Sequence, residues 1–406
     1  MKKIFILFVA LVSFSVASLS AKEISISILV AVQQRSAYEK IFKEFTRETG
    51  INIVTIPKLD ADYKHNLPIW LLEGKNTPDV LYWQASQRLF YYVEKGAIRS
   101  ITHIWKEGNL DENFSHVKNG VTYNGEVYAI PFSYYHWGIY YKKSLIQKYG
   151  GVPDDWETFI SQCEKIKQDG ITSIGIGTKN KWPAAGWFDY INLRINGLEY
   201  HQQLLDGKIS FHDQRIQNVF MEWKRLVDNK YFNKNNSKHT WDSVLPLFYR
   251  NSIAFLLIGN FISSRLPKQS IVYKDIGFMP FPKIKNIPRY EEAPMDVFMI
   301  AKNTKKIKKS ELFLKFIARS DIQSKLNENL GYLPPNKDGI VGKDKFIRAG
   351  FQLLNQADGV SHYFDRDTIH EFDKKAVPIL AEFINTGDIK RLTDQLEKIR
   401  KETFMK

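Results

Sequence analysis

The chain of 406 residues carries 58 lysines and arginines against 44 aspartates and glutamates, a net charge of +14. Its composition, 44% hydrophobic, 25% charged and 14% aromatic, is that of a globular protein; it excludes a disordered, collagen-like or disulfide-framework chain. A single cysteine, Cys163, excludes an intramolecular disulfide and a multi-cysteine zinc site, and the length favours two lobes over one core.

Residues 1–20 read as a secretory leader. Lys2 and Lys3 precede an apolar run at 4–12, and Ser18 and Ser20 stand ready for a cut before Ala21. Cleavage would remove two lysines and lower the charge to +12. No cysteine lies near the cut, which excludes a lipid-anchored start. No later window holds the roughly 18 apolar residues of a spanning helix. An exported, periplasmic protein is therefore expected. Nucleic acid recedes as a partner, since no reader motif is present, and the lysine-rich run 302–309 reads as a solvated turn entering a helix.

The mature chain opens with a β-branched apolar strand at 24–32, followed by Gln33-Gln34-Arg35-Ser36. A helix to Thr49 then carries Tyr38, Ile41, Phe42 and Phe45 on one face, and Gly50 ends it. A strand at 51–56, a helix at 63–73 and a third strand at 80–83 follow. Asn124-Gly125 marks a hairpin turn. Further strands are predicted at 139–141, 174–177, 253–258, 276–279 and 296–301, and helices at 156–167, 215–229 and 310–318. Strand–helix alternation of this kind indicates an α/β fold with largely parallel sheets. Cys163 shares a helical face with Trp156, Phe159 and Ile166 and reads as a packed small hydrophobe.

The order of these segments resembles the family 1 extracellular solute-binding proteins of ABC importers, the group of maltose-binding protein. Gly-Lys-Asn-Thr-Pro-Asp-Val (74–80) before Leu81-Tyr82-Trp83 is similar to the family's Gly-x-x-Pro-Asp-Val strand. The stretch 123–145, YNGEVYAIPFSYYHWGIYYKKSL, resembles its first lobe crossing. GVPDDWETF (151–159) matches a Pro–acidic–Trp helix start, FYRNSIAFLLIG (248–259) a second-lobe strand, and DIGFMPFP (275–282) the strand leading back. The chain departs from the pattern at Asn260-Phe261 and at Pro294-Met295-Asp296, where many relatives have a tryptophan and a glycine pair.

The resemblance implies a type II periplasmic binding protein fold: two α/β lobes with mostly parallel sheets, joined by crossing strands, with the ligand cleft between them. Lobe one is expected at about 22–132 and 287–336, lobe two at 133–286 and 337–406. It further implies a monomer, not an enzyme, that needs no cofactor or metal. Such a protein binds a sugar or oligosaccharide by hinge closure and delivers it to membrane permease subunits.

Trp83, at the end of the third strand, is the foremost stacking residue, with a core role as its alternative. Trp83→Ala is accordingly expected to weaken binding and spare the fold. Gln33 and Gln34 follow the first strand, as hydroxyl ligands or as helix-entry residues. Tyr134, Tyr135, His136 and Trp137 sit at the first crossing; four such side chains in a row cannot all enter one core. Trp187, beyond a Pro-Ala-Ala-Gly loop, is the second-lobe stacking candidate, with surface packing as its alternative. Asn260 and Asp296 fall at ligand-proximal departures from the family. Tyr363, Asp365 and Arg366 lie in a late segment where relatives carry a cleft aromatic, and Asp365 with Arg366 can also form an internal ion pair. An acidic sugar or glycerol-phosphate-type solute is the alternative ligand. A ferric-ion-binding protein lacks an evident His/carboxylate cluster, and an exported glycoside hydrolase lacks an evident pair of strand-end carboxylates.

Overall fold

The structure, a computed structural model, describes residues 22–405. The expected leader lies outside the described residues. In chain order the strands are β1 (Glu23–Leu29), β2 (Asn52–Lys58), β3 (Val80–Gln84), β4 (Thr122–Tyr123), β5 (Glu126–Val127), β6 (Ala129–Tyr134) and β7 (Trp137–Lys142). Then come β8 (Thr172–Gly175), β9 (Ile253–Gly259), β10 (Ile276–Met279), β11 (Tyr290–Glu292), β12 (Met295–Ile300) and β13 (Gly359–Ser361).

One sheet has the order β2-β1-β3-β12-β6 and the other β10-β7-β9-β8. Each contains one reversed strand, β12 in the first and β7 in the second. Both reversed strands start where the chain has just crossed over, β7 after Tyr135-His136 and β12 after Ala293-Pro294. A strand that arrives from the other lobe enters its sheet from the shared edge, so it runs against the strands that point toward that edge.

The side chains form two separate hydrophobic cores. One draws on residues 24–132 and 295–330, the other on 135–281 and 346–396. Tyr332, in the segment that crosses last, packs against both. β11 pairs in parallel with β13 and packs on the Pro183–Ile195 helix. The return crossing therefore falls at Ala293-Pro294, several residues beyond 287.

Local chemistry explains the elements. Ile24, Ile26 and Ile28 of β1 are buried, and the Arg35–Thr49 helix lays Tyr38, Ile41, Phe42 and Phe45 on that sheet. Gly50, at φ +69°, ends the helix in the left-handed conformation that glycine tolerates. Asn124 and Gly125, both at positive φ, form the β4–β5 turn. The Pro-Ala-Ala-Gly stretch, expected as a loop, is the first turn of the Pro183–Ile195 helix, with proline where its missing N–H costs nothing. Every residue of that helix is buried.

Asp79, just before β3, fastens three segments of the first lobe. Its carboxylate accepts hydrogen bonds from Ser25 N and Oγ (each 2.8 Å) and from Thr304 Oγ1 (2.5 Å), and Lys306 Nζ lies 3.7 Å away. Burial pushes this carboxyl up, but the hydrogen bonds and Lys306 outweigh it and hold its pKa below the usual value. A depressed native pKa adds stability above the unfolded value and loses it as pH falls through the folded one. Asp79→Asn should thus be less stable near neutrality, and urea unfolding should find that difference shrinking toward about pH 3. A difference independent of pH would mean that the Asp79 charge contributes nothing.

Candidate functional site

A cavity of ≈ 470 Å³ opens between the two cores. On the first-lobe side it is lined from the carboxyl ends of β1, β2 and β3, where open α/β sheets place their ligands. Leu29 and Gln34 follow from β1, Asp60 and Lys64 sit on the Asp60–Leu71 helix after β2, and Tyr82 and Gln84 end β3. The opposite wall is aromatic. Trp137 starts β7, Trp182 precedes the Pro183–Ile195 helix, Trp241 lies in a turn, and Phe261 follows β9.

These rings support one another edge to face. Trp182 stands 6.0 Å from Trp137 at 84° and Trp241 stands 5.0 Å from Phe261 at 81°. Trp137 itself stacks on Tyr363 at 4.7 Å and 29°. Trp137 and Tyr363 are buried, whereas Trp182, Trp241 and Phe261 are half-buried and keep ring surface for a ligand.

The floor is made where the lobes join. Arg366 donates to Asp296 Oδ1 (3.3 Å), to Met295 O (3.0 Å) and to the Tyr135 hydroxyl. Tyr82 Oη donates to the other Asp296 oxygen at 2.5 Å. Burial opposes the Arg366 charge, but Tyr135, Asp296 and Asp365 beside it raise its pKa. The Asp296 carboxyl is pushed up by burial and pulled back by Arg366. Arg88, from the first lobe, lies between Asp365 (2.9 Å) and Asp373 (2.8 Å) of the second. At the cavity mouth Lys64 pairs with Asp60 (2.9 Å) and Arg265 with Asp242 (3.4 Å). Each charged side chain that lines the cavity thus already has a partner of opposite sign.

Residues 31–324 match the model of the bacterial extracellular solute-binding proteins. The chain belongs to that family. It is 25% identical over 315 residues to an uncharacterized ABC transporter extracellular-binding protein of Pyrococcus horikoshii, spanning 75% of this chain and 69% of the relative. It is 22% identical over 297 residues to the multiple sugar-binding protein of Streptococcus mutans, spanning 71% and 69% of the two chains. In fold it is similar to the bacterial solute receptor AcbH, with a TM-score of 0.87 at 22% identity over 94% of this chain and 99% of that one. Like the rest of the family it is an extracellular-type binding protein, and among its described residues no helix is long and apolar enough to cross a membrane.

Seven of the residues expected at a solute site line the cavity of this solute-binding protein: Gln34, Tyr135, Trp137, Asp296, Tyr363, Asp365 and Arg366. Gln34 donates to Tyr332 Oη at 2.9 Å, while Gln33 is exposed and away from it. Strand alternation sorts the first crossing. Tyr135 and Trp137 share the cavity face. Tyr134 and His136 point elsewhere, Tyr134 exchanging backbone hydrogen bonds with Leu333 and His136 packing on Phe278. Burial lowers the His136 pKa to about 3, so its ring is neutral. Asn260 is buried and donates to Gly331 O at 2.9 Å, bracing the last crossing.

Trp187 is wholly buried in the second core, against Phe232 and Phe281. Trp83 lies in the first, stacked on Tyr63 and donating through Nε1 to Arg88 O at 2.9 Å. Successive residues of β3 point to opposite faces of the sheet, so Tyr82 and Gln84 share the cavity face while Trp83 faces the core. Trp182, Trp241 and Gln84 were not singled out from the sequence, and Phe261 only as a departure from the family pattern beside Asn260. Only the alternation of β3 could have found Gln84, and nothing local marks the turn that carries Trp241. The expected effect of Trp83→Ala is correspondingly different. It should cost on the order of 3–5 kcal/mol of folding stability, measured by urea unfolding, and an unchanged midpoint would remove Trp83 from the core.

Proposed function

We propose that the protein captures a neutral sugar or short oligosaccharide in the periplasm and delivers it to the permease of an ABC importer. The carrying observation is a cavity with an aromatic wall facing a polar one, in which the lining charges are mutually paired. Aromatic faces suit the C–H faces of sugar rings, and the Gln34, Gln84 and Asn180 amides suit hydroxyls. An acidic or phosphorylated sugar would need a free cation on the wall, and Lys64, Arg265 and Arg366 are each engaged by a carboxylate. The relatives agree in class: one is named for binding multiple sugars, another for melibiose, raffinose and stachyose, and AcbH is described as preferring β-D-galactopyranose. The cavity volume lies within the ~300–1,000 Å³ of small-molecule sites.

The protein acts as a monomer of two lobes, about 22–132 with 294–336 and about 133–293 with 337–406, the return boundary set at Ala293-Pro294 instead of the expected 287. A ligand that touches both walls favours the closed form over the open one. Driving closure from about 1:99 to 99:1 takes roughly 5.5 kcal/mol of differential affinity. No bond is made or broken in that cycle, and the closed form is what the permease recognises.

A thermal-shift screen of neutral, uronic and phosphorylated sugars tests the reading, since a bound ligand raises the melting temperature. A neutral saccharide should give the largest shift, and Trp182→Ala or Trp241→Ala should weaken its binding by about 10–100-fold, or ~1.4–2.8 kcal/mol. A phosphorylated or uronic sugar that binds while its neutral parent does not would contradict the proposed class.

A further inference from the structure

Beneath the cavity floor lies a second group of buried acids that plays no part in the ligand contacts described above. Asp189, on the Pro183–Ile195 helix, and Glu292, the last residue of β11, are both fully buried where that helix packs on the strand, and burial, followed by the Asp189 carboxyl beside it, pushes the Glu292 carboxyl up. Asp189 Oδ2 accepts the Phe364 N–H at 2.8 Å. Among the described residues no N–H or hydroxyl donor reaches either oxygen of Glu292 or Asp189 Oδ1. Two neighbouring carboxylates whose buried oxygens find no other donor cannot both stay ionised in a dry interior, and a proton on one lets it donate to the other. The proton belongs to Glu292, because Asp189 is the partner that already accepts a backbone N–H.

We propose that protonated Glu292 donates to Asp189, and that this shared proton positions the segment carrying Tyr363, Asp365 and Arg366 on the cavity floor. Asp189 is the positioning residue: through the Phe364 N–H it holds the middle of that segment, and through Glu292 it is tied to the return crossing at Ala293-Pro294.

Among the described residues the surroundings offer no cation to replace the proton. On the helix of Asp189, Arg194 is turned to Glu291 (2.7 Å). From the next helix, Gly197–Leu205, His201 Nε2 stands 3.7 Å from Asp189 Oδ1. Its Nδ1 accepts from Asn192, and burial lowers its pKa to about 4, which leaves the ring neutral. From β11, Glu291 adds negative charge, while the Tyr190 hydroxyl faces the Glu292 N–H. In the 362–367 segment Asp365 and Asp367 raise the cost of a second ionisation, Arg366 is taken by Asp296, and burial lowers the pKa of His362. Burial, followed by the neighbouring carboxylates, pushes the Glu292 carboxyl well above its usual range.

The sign follows. A carboxyl with a raised native pKa contributes stability that is complete below its unfolded pKa, about 4.3. That contribution is lost as pH rises toward the native value. The proton sharing stands apart from the sugar reading; only its consequence, weaker ligand binding at alkaline pH, rests on that reading. A ligand-free test therefore separates the two.

Infrared spectra of the ligand-free protein near neutral pH should contain the carbonyl stretch of a protonated carboxylic acid, absent in Glu292→Gln. Glutamine keeps a donor toward Asp189 but cannot ionise. In paired thermal unfolding, the melting temperature of the unchanged protein relative to Glu292→Gln should fall steadily between about pH 5 and about pH 9. Absence of the acid band in the unchanged protein would overturn the proposal even if the variant failed to fold. So would its persistence in Glu292→Gln, or a melting difference that does not change with pH.

Discussion

The cleft depends on one buried guanidinium. Arg366 comes from the late segment of the second lobe, yet its partners are Asp296 on β12 of the first lobe, the Met295 carbonyl, and Tyr135 at the first crossing. A charge this deeply buried is tolerated only when its partners are fixed in place. Losing Asp296 alone would strand it, at a cost on the order of 3–5 kcal/mol. The pair thereby holds the return crossing, the first crossing and the 363–366 segment in one arrangement. Because the two charges pair with each other, the floor presents polar atoms to a ligand without an unpaired charge.

The walls inherit their difference from the strands that deliver them. On the first lobe the carboxyl ends of three aligned strands bring the polar side chains of Gln34, Asp60, Lys64, Tyr82 and Gln84 to the cavity. On the second, the reversed strand β7 brings Trp137, Trp182 and Phe261 come from the segments after β8 and β9, and Trp241 from the turn before the Leu245–Tyr249 helix. Under the proposed function, closing the lobes would sandwich a ligand between hydroxyl-binding and ring-stacking surfaces, which ties a topological detail, one reversed strand per sheet, to the proposed choice of an uncharged solute. Arg88 between Asp365 and Asp373 adds a bond across the same junction.

Much of this was legible before the fold. The apolar periodicity of 35–49, the Pro-Asp-Val strand and the Asn-Gly turn report local physics, and the order of the motifs reports the family. Site residues were less legible because a side chain's direction depends on where a strand ends. The pleat of β3 turns Gln84 to the cavity and Trp83 to the core, and Tyr134-Tyr135-His136-Trp137 divides two and two in the same way. Trp187 looked like a loop residue until Pro183 proved to start a helix. Trp241 and the Asp189–Glu292 pair exist only as neighbours in space, so no sequence spacing reveals them.

Closure around a neutral saccharide is the claim on which the functional account stands. It is tested most directly by spin labels on Val54→Cys and Met221→Cys, exposed positions on the first and second lobes, with Cys163 buried and unreactive. The account predicts that the distance between the labels shortens when the saccharide from the melting screen saturates the protein, and that sugars without an effect on melting leave it unchanged. A distance that stays constant at saturation would contradict binding between the lobes by hinge closure.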